Sequence, residues 1–178
     1  MRKCNMDLAV IDSDVLIQLA KLNQLELLKS QFSQIFITDV IYNETVIQGI
    51  KTQKENARII KDFIKTEFIE VQTISKKRTN KILKKHKIHK GESSIIALAK
   101  KFQVNYCITN EIKVRNVIKS EGFKVVGTLG IILKAFTFKE LNKKKCLTLL
   151  NILKENPKDF RFHPKLIDKV IKKVNEKK

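Results

Sequence analysis

Residues 6–12 read M-D-L-A-V-I-D, and this stretch is the first indication of the fold class. It is short and apolar, which predicts a buried strand, and it ends on an acidic residue, Asp12. Residues 35–39, I-F-I-T-D, repeat the pattern of an apolar run followed by an acid. Short apolar strands that alternate with helical segments predict an α/β fold whose central, mainly parallel sheet is covered on both faces.

The periodicity extends this alternation along the whole chain. The predicted strands are 6–12, 35–38, 68–71, 105–109 and 123–126. The predicted helices are 15–22, 25–32, 40–48, 55–65, 92–102, 112–120, 129–136 and 145–153. We expect Asp39 to cap the third helix and Gly49 to end it. Residues 156–162 are the boundary candidate, so 1–155 is predicted as one domain and 156–178 as a basic amphipathic helix packed on it.

The charge of the chain favours a polyanionic partner. There are 37 Lys and Arg against 18 Asp and Glu, a formal net charge of +19. An AT-rich genome, which favours Lys, Ile and Asn codons, is the alternative explanation. The cysteines, three in number, form no C-x-x-C pair, which fits a reducing, cytoplasmic setting. Acidic residues interrupt any signal peptide, and no uncharged stretch is long enough to cross a bilayer, so no membrane association is expected.

Four acidic residues stand where a strand ends or a helix begins: Asp12, Glu44, Glu92 and Glu111. In a parallel α/β sheet, ligands gather at the carboxyl ends of the strands. Val40, Glu44 and Ile47 would share one face of a regular helix, so Glu44 is predicted to be buried. Carboxylates that converge on one sheet edge indicate a site for Mg²⁺ or Mn²⁺, which prefer oxygen ligands.

Each acid also has a purely structural alternative. Asp12 can cap the following helix, and Glu92 can be a favourable charge in a first turn. Glu111 can be an ordinary surface residue, and Glu44 can pair with a buried Lys or Arg. A metal site therefore requires the four acids to meet at one place.

Several segments together resemble the PIN-domain ribonucleases, in particular the virulence-associated protein C branch of toxins. The matching segments are V-I-D-S-D-V-L-I-Q-L, I-F-I-T-D-V-I-Y-N-E, G-E-S-S-I-I-A-L-A and K-V-V-G-T-L-G-I-I-L-K-A, spread over residues 6–153. The resemblance implies a three-layer α/β/α domain with an acidic metal pocket. It also implies metal-assisted hydrolysis of RNA that leaves a 5′-phosphate and a 3′-hydroxyl.

The resemblance assigns roles to individual residues. Asp12, Glu44 and Glu92 match the first three acids of the family, and they are expected to bind the metal and to be catalytic. The fourth acid departs from the usual pattern, because Asn110 and Glu111 stand where Asp is frequent. Glu111 aligns with the family's fourth acid, with a longer side chain, and it is likewise expected to bind the metal and to be catalytic. The residues expected around the metal ligands are Ser13, Asp14, Thr109 and Asn110.

The resemblance and the charge run also indicate where RNA would bind. Arg115 matches a basic position of the family, and Lys76, Lys77 and Arg78 begin a run of cations that could form the rim of the pocket. A solvated helix face is the alternative for that run. The partners implied are RNA, a second copy of the chain in a homodimer, and an antitoxin protein.

Three interpretations follow. The first is a PIN endoribonuclease, with the toxin of a toxin–antitoxin pair as one form of it. The second is an RNA-binding PIN protein in which the change at the fourth acid has weakened or abolished catalysis. The third is a scaffold whose basic surface reflects genome composition alone.

Overall fold

A parallel sheet of five strands forms the centre of the computed structural model, which describes residues 7–176. The strands are β1 Asp7–Ile11, β2 Phe32–Thr38, β3 Ile69–Gln72, β4 Tyr106–Ile108 and β5 Lys124–Val126. Their order is β3-β2-β1-β4-β5, and every neighbouring pair is parallel. Met6, predicted as the start of the first strand, lies outside the described residues, as do the predicted domain ends at residues 1 and 178.

Helices flank the sheet, and the predicted three-layer α/β/α fold is confirmed. The helices are α1 Ser13–Lys21, α2 Glu26–Lys29, α3 Asp39–Tyr42, α4 Gly49–Lys51, α5 Glu55–Ile64, α6 Lys76–His86, α7 Lys90–Phe102, α8 Ile112–Ser120, α9 Thr128–Thr137, α10 Lys143–Glu155, α11 Pro157–Phe160 and α12 Pro164–Glu176. A π-helical segment, Asn43–Gln48, joins α3 to α4.

The strand order places a crevice between β1 and β4. The chain moves outward from β1 to β2 and β3, then crosses to the other side of β1 to form β4 and β5. Ile11 of β1 is the partner of Ile108 of β4, so these two strands end together. Where the strand order reverses, the two following loops separate, and ligands of open α/β sheets bind in the gap. Asp12 and Thr109 are the residues that immediately follow these two strands.

The second strand begins earlier than predicted. The spacing of residues 25–32 predicts a helix, but α2 ends at Lys29 and β2 starts at Phe32. Phe32 is almost completely buried and meets the edge of the Tyr106 ring at a centroid distance of 5.7 Å. The burial of this ring in the sheet outweighs the helical spacing of the residues before it.

The helix after β2 differs from the prediction at both ends and in its middle. Thr38 rather than Asp39 caps it, because the Thr38 Oγ1 atom accepts a hydrogen bond from the Ile41 amide at 3.2 Å. Gly49 does not end the helix. It allows α5 to approach closely, since a Cβ atom at Gly49 would lie 2.5 Å from the Ala57 Cβ atom.

The π-helical segment overturns the expected burial of Glu44. Val40 and Ile47 are 51% and 37% exposed, and Glu44 between them is exposed as well. Ile41, Thr45 and Val46 form the buried face instead. Burying this second face removes apolar surface from water without desolvating a carboxylate, which explains why it is preferred.

The described chain consists of two compact units. One extends through Gly127 and contains the sheet with α1 to α8, and the other begins at Thr128 and contains α9 to α12. In the second unit α12 packs against α10 and α9, and its residues Ile167 and Val174 are completely buried. Within residues 7–176, none of the helices combines the length and apolar character needed to cross a membrane.

Candidate active site

Asp12 lies at the end of β1, where its carboxylate is held between the two central strands. The Asp12 amide donates to the Ile108 carbonyl at 2.9 Å, which continues the pairing of β1 with β4. Asp12 Oδ1 accepts from the Ser13 amide at 2.8 Å, and Oδ2 accepts from the Thr109 hydroxyl at 2.9 Å. Since Thr109 is completely buried, the direction of the carboxylate is fixed from both strands.

The electrostatic surroundings of Asp12 are unfavourable for its negative charge. Burial raises the pKa of the Asp12 carboxyl above its usual value. The hydrogen bonds from Thr109 and Ser13 oppose this shift, and the nearby negative charges of Asp14 and Glu44 add to it. No cationic side chain is among the described groups that shift this pKa. A bound positive ion would therefore stabilise the ionised Asp12 carboxylate.

A second hydrogen-bond network fixes Asp14 beside the same crevice. The Asn110 amide nitrogen donates to Asp14 Oδ2 at 3.0 Å and to Gln18 Oε1 at 2.9 Å. The Gln18 amide nitrogen in turn donates to Asp14 Oδ2 at 3.0 Å. An aspartate at position 110 could make neither of Asn110's donations when ionised, and it would repel Asp14. The amide at 110 and the carboxylate at 14 are therefore matched to each other.

Gly127 makes room for the residues that follow β4. A Cβ atom at Gly127 would lie 2.5 Å from Asn110 Oδ1 and 3.1 Å from Arg115 Nη1. Arg115 Nη1 also donates to the Thr109 carbonyl at 2.9 Å, so the guanidinium braces this loop. Burial lowers the pKa of Arg115, which remains a cation at neutral pH.

The remaining predicted ligands occupy different surroundings. Glu44 is exposed on the π-helical segment, close enough to raise the pKa of Asp12. Glu92 is half-buried, and its Oε2 atom accepts from the His89 amide at 2.8 Å, which caps α7. Glu111 is exposed at the start of α8. Neither Glu92 nor Glu111 is among the described charges that shift the pKa of Asp12.

The structure thus brings Asp12, Asp14 and Glu44 into electrostatic contact. Across residues 7–176, no three side chains of Asp, Glu, His or Cys stand close enough together to form a ready-made metal cage. The chemistry of the donors still fits a hard divalent ion, because the three groups offer only oxygen atoms. Mg²⁺ is commonly held by one or two carboxylates and keeps several waters.

Three of the four predicted nucleic-acid contacts lie on α6, and the fourth, Arg115, lies on α8. Lys76, Lys77 and Arg78 are exposed in the first turn of α6, and Arg78 also lines an open groove between α6 and α7.

Sequence reasoning missed Gln18, which is buried in α1 and follows Asp14 by four residues. That spacing places two polar groups on one helical face, which is the local signal that could have identified the pair.

Comparisons with known proteins agree with this architecture. A family model described as PIN domain matches residues 8–176. Among solved structures, a chain of a toxin–antitoxin complex from Klebsiella pneumoniae is similar in fold, with a TM-score of 0.51 and 20% sequence identity. That match covers 66% of this chain and 95% of the other. Comparison with the curated proteins finds no match.

PIN domains are generally nucleases, and they generally use divalent metal ions. The family match includes both compact units and nearly all the described residues. The chain therefore belongs to the PIN-domain family.

Proposed function

We propose that this chain is a Mg²⁺- or Mn²⁺-dependent endoribonuclease that hydrolyses RNA phosphodiester bonds. The observation that carries this proposal is the Asp12 carboxylate, which is half-buried at the crevice between β1 and β4 beside two further acids. A half-buried carboxylate with no cation beside it in the described part of the chain is costly in a purely structural role, even though Ser13 and Thr109 donate hydrogen bonds to it. Membership of a family of nucleases supplies the reaction class.

Asp12, with Asp14 and Glu44, would hold the metal ion. A divalent ion bound there supplies positive charge that stabilises the negative charge developing on the phosphate, and it makes a water molecule more acidic. Thr109 and Ser13 orient the Asp12 carboxylate, and Asn110 and Gln18 orient that of Asp14. Glu92 and Glu111 are proposed as further metal-binding and catalytic carboxylates because they match acids of the PIN-domain family.

RNA is the proposed substrate because the chain carries a formal net charge of +19. Such an excess attracts polyanions over long distances and raises the rate of encounter. Hydrolysis by water would leave a 5′-phosphate and a 3′-hydroxyl on the cleaved RNA.

Cleavage of a mixed RNA substrate by the purified protein tests this proposal. We expect cleavage with Mg²⁺ or Mn²⁺ and none when EDTA is present. Cleavage that persists unchanged in EDTA would contradict the metal mechanism. An Asp12→Asn preparation should be inactive in the same assay, which excludes a contaminating nuclease as the source.

We further propose that the nuclease acts as the toxin of a toxin–antitoxin pair, with an antitoxin protein as partner. The fold similarity to a chain of a toxin–antitoxin complex supports this. Induced expression in a bacterial host should arrest growth, and expression of Asp12→Asn should not. Equal growth of the two strains at equal protein levels would contradict the toxin role.

A second candidate function is RNA binding with weakened or lost catalysis. Asn110 favours it, because an amide stands where the family frequently has an acid and it is engaged by Asp14 and Gln18. Under this alternative the parent protein binds RNA but cleaves none with either ion. Detectable metal-dependent cleavage by the parent, abolished in Asp12→Asn, would exclude it.

A further inference from the structure

An open groove with a strongly basic lining runs between α6 and α7. Its volume is about 480 Å³, and five of its lining side chains are cationic: Arg78, Lys81, Lys85, Lys100 and Lys101. Ile82 and Ala97 contribute its apolar surface. None of the residues that the structure describes along this groove is acidic or aromatic.

Two of these lysines are fixed by an acid beside the groove. The Glu121 side chain is only 5% exposed and pairs with Lys85 Nζ at 2.7 Å. Lys100 and His86 contact the same carboxylate. One carboxylate therefore holds a lysine from α6 and a lysine from α7, which fixes the spacing of the two helices at the groove.

The other cations retain capacity to bind an anion. Within residues 7–176, the structure gives Arg78 and Lys81 no ion pair and no side-chain hydrogen bond. Lys101 donates one hydrogen bond, to the Gln72 side-chain oxygen at 3.1 Å. The Lys101 Nζ atom also lies 4.8 Å from the centroid of the Phe102 ring. Because a lysine carries three donors and only one is used in a hydrogen bond within the described residues, Lys101 can still donate to an anion.

We propose that this α6–α7 groove binds the sugar–phosphate backbone of RNA, at a site separate from the acidic cluster. The inference rests on the proposed function in taking RNA as the substrate. Lysine-rich linings are typical of nucleic-acid interfaces, whereas the cores of protein–protein interfaces are depleted in lysine. The described groove lining offers no aromatic side chain on which bases could stack. We therefore expect it to bind phosphate groups of any RNA without distinguishing between sequences.

Binding is measured in EDTA, so that the result does not depend on hydrolysis. The probe is a fluorescently labelled single-stranded RNA of mixed sequence, followed by anisotropy at several salt concentrations. The groove variant combines Arg78→Gln, Lys81→Gln and Lys101→Gln. The matched control combines Lys165→Gln, Lys169→Gln and Lys173→Gln, which removes the same charge from exposed positions of α12.

We expect the groove variant to bind RNA at least roughly tenfold more weakly at low salt than the parent. The slope of log K against log salt should fall by about 0.7 for each phosphate that the protein no longer neutralises, or about 2 in all. The control should keep most of the parent's affinity, and an RNA of scrambled sequence should bind the parent equally well.

Three results would overturn the proposal. Equally weakened binding by the two triple variants would show that net charge alone acts. Unchanged RNA binding by the groove variant would exclude the groove as an RNA site. Unchanged RNA binding together with weakened binding of labelled poly-glutamate would assign the groove to an acidic polypeptide. If the parent binds RNA through the groove but never cleaves it, the groove proposal is supported and the proposed nuclease activity is refuted.

Discussion

At the scale of single residues, the Asp12 carboxyl combines burial with repulsion from two neighbouring acids. Its raised pKa means that the folded protein binds a proton there more readily than the unfolded chain does. The contribution of Asp12 to stability is therefore greatest when it is protonated, and this contribution is lost as the pH rises from the ordinary aspartate value of 3.8 through the higher pKa of the folded state. The ionised form is retained at a cost to the fold.

Asp12→Asn should raise the melting temperature in EDTA at neutral pH and leave it unchanged near pH 3, where the parent carboxyl is also neutral. Nuclease activity should fall by more than the ~10–100-fold typical of changes around a metal site. Thermal melts at both pH values and a cleavage assay measure the two effects. Asp62→Asn, at an exposed acid paired with Lys65, is the control and should change neither property much. Asp12 is the N-cap of α1, and asparagine caps a helix about as well, so a lower melting temperature for Asp12→Asn at neutral pH would show that the negative charge itself stabilises the fold.

Gly127→Ala should disturb the loop after β4, because the new methyl group would meet the Asn110 side chain at 2.5 Å. We expect a loss of about 1–3 kcal/mol in the free energy of unfolding. The stabilisation of the protein by Mn²⁺ should also shrink, since Asn110 orients Asp14. Gly91→Ala is the matched control, because nothing lies within 4 Å of its added methyl group. Denaturant titrations with and without Mn²⁺ measure both effects; equal behaviour of the two variants would show that Gly127 is not constrained.

The sequence identifies the acids but not how they are held. Asp12 and Asp14 could be placed because an apolar strand ends directly before them. Asn110 and its partners Gln18 and Asp14 are separated by 92 and 96 residues, so no local pattern reveals their hydrogen bonds. The predicted burial of Glu44 is wrong, because two helical faces were available and only packing decides between them.

At the scale of helices, Glu121 connects three of them. It follows the last residue of α8 and contacts Lys85 and His86 of α6 and Lys100 of α7. The hydrogen bonds from Lys100 and Lys85 lower the pKa of Glu121 to about 2, from an ordinary glutamate value of 4.5. The folded state therefore gains stability from the ionised carboxylate above about pH 4.5, and loses it as the pH falls towards about 2.

Glu121→Gln should reduce the free energy of unfolding by about 1–3 kcal/mol at neutral pH. The difference from the parent should diminish as the pH falls from about 4.5 to about 2. Urea titrations across this pH range provide the measurement. Glu155→Gln removes the same charge at an exposed position of α10 and should have little effect at any pH. A difference that does not depend on pH would show that the charge of Glu121 is not what connects the helices.

The C-terminal helix α12 offers two adjacent apolar residues with opposite exposure. Ile167 is completely buried and Leu166 is 48% exposed. Ile167→Ala should cost about 2–5 kcal/mol, because it removes buried methyl groups and leaves a cavity. Leu166→Ala should change stability by less than about 0.5 kcal/mol. Thermal melts of the full chain compare them, and similar losses in both variants would contradict the packing of α12.

Element boundaries follow from the sequence where the signals are local. The predicted helix 112–120 coincides with α8, whose limits are set by periodic apolar residues between two loops. The helix predicted for 25–32 is wrong at its end, because the last of these residues belongs to the sheet, where it pairs with a strand elsewhere in the chain. The π-helical segment likewise depends on packing against α1 and α5, which periodicity does not report.

At the scale of the whole molecule, alternating strands and helices were sufficient to predict the fold class, which the parallel sheet confirms.

The homodimer stays a prediction. Light scattering on the full chain at several micromolar concentrations should give about twice the chain mass of 20.7 kDa. Because the chain carries a net charge of +19, the measurement needs enough salt to screen repulsion between copies. A mass that stays at that of one chain throughout would refute the dimer.

The π-helical segment has a consequence for the way this chain can change over generations. A π turn is equivalent to an α-helix that has accepted one additional residue, and one residue of an α-helix corresponds to a rotation of about 100°. Ile41 before the extra residue and Gly49 after it are both buried in the present arrangement. Losing one codon between them would leave about two turns of a regular α-helix from Ile41 to Gly49, so both would still face their present neighbours. Glu44 itself is exposed within the π-helical segment, so the fold should tolerate the deletion of its codon as well as its exchange for another.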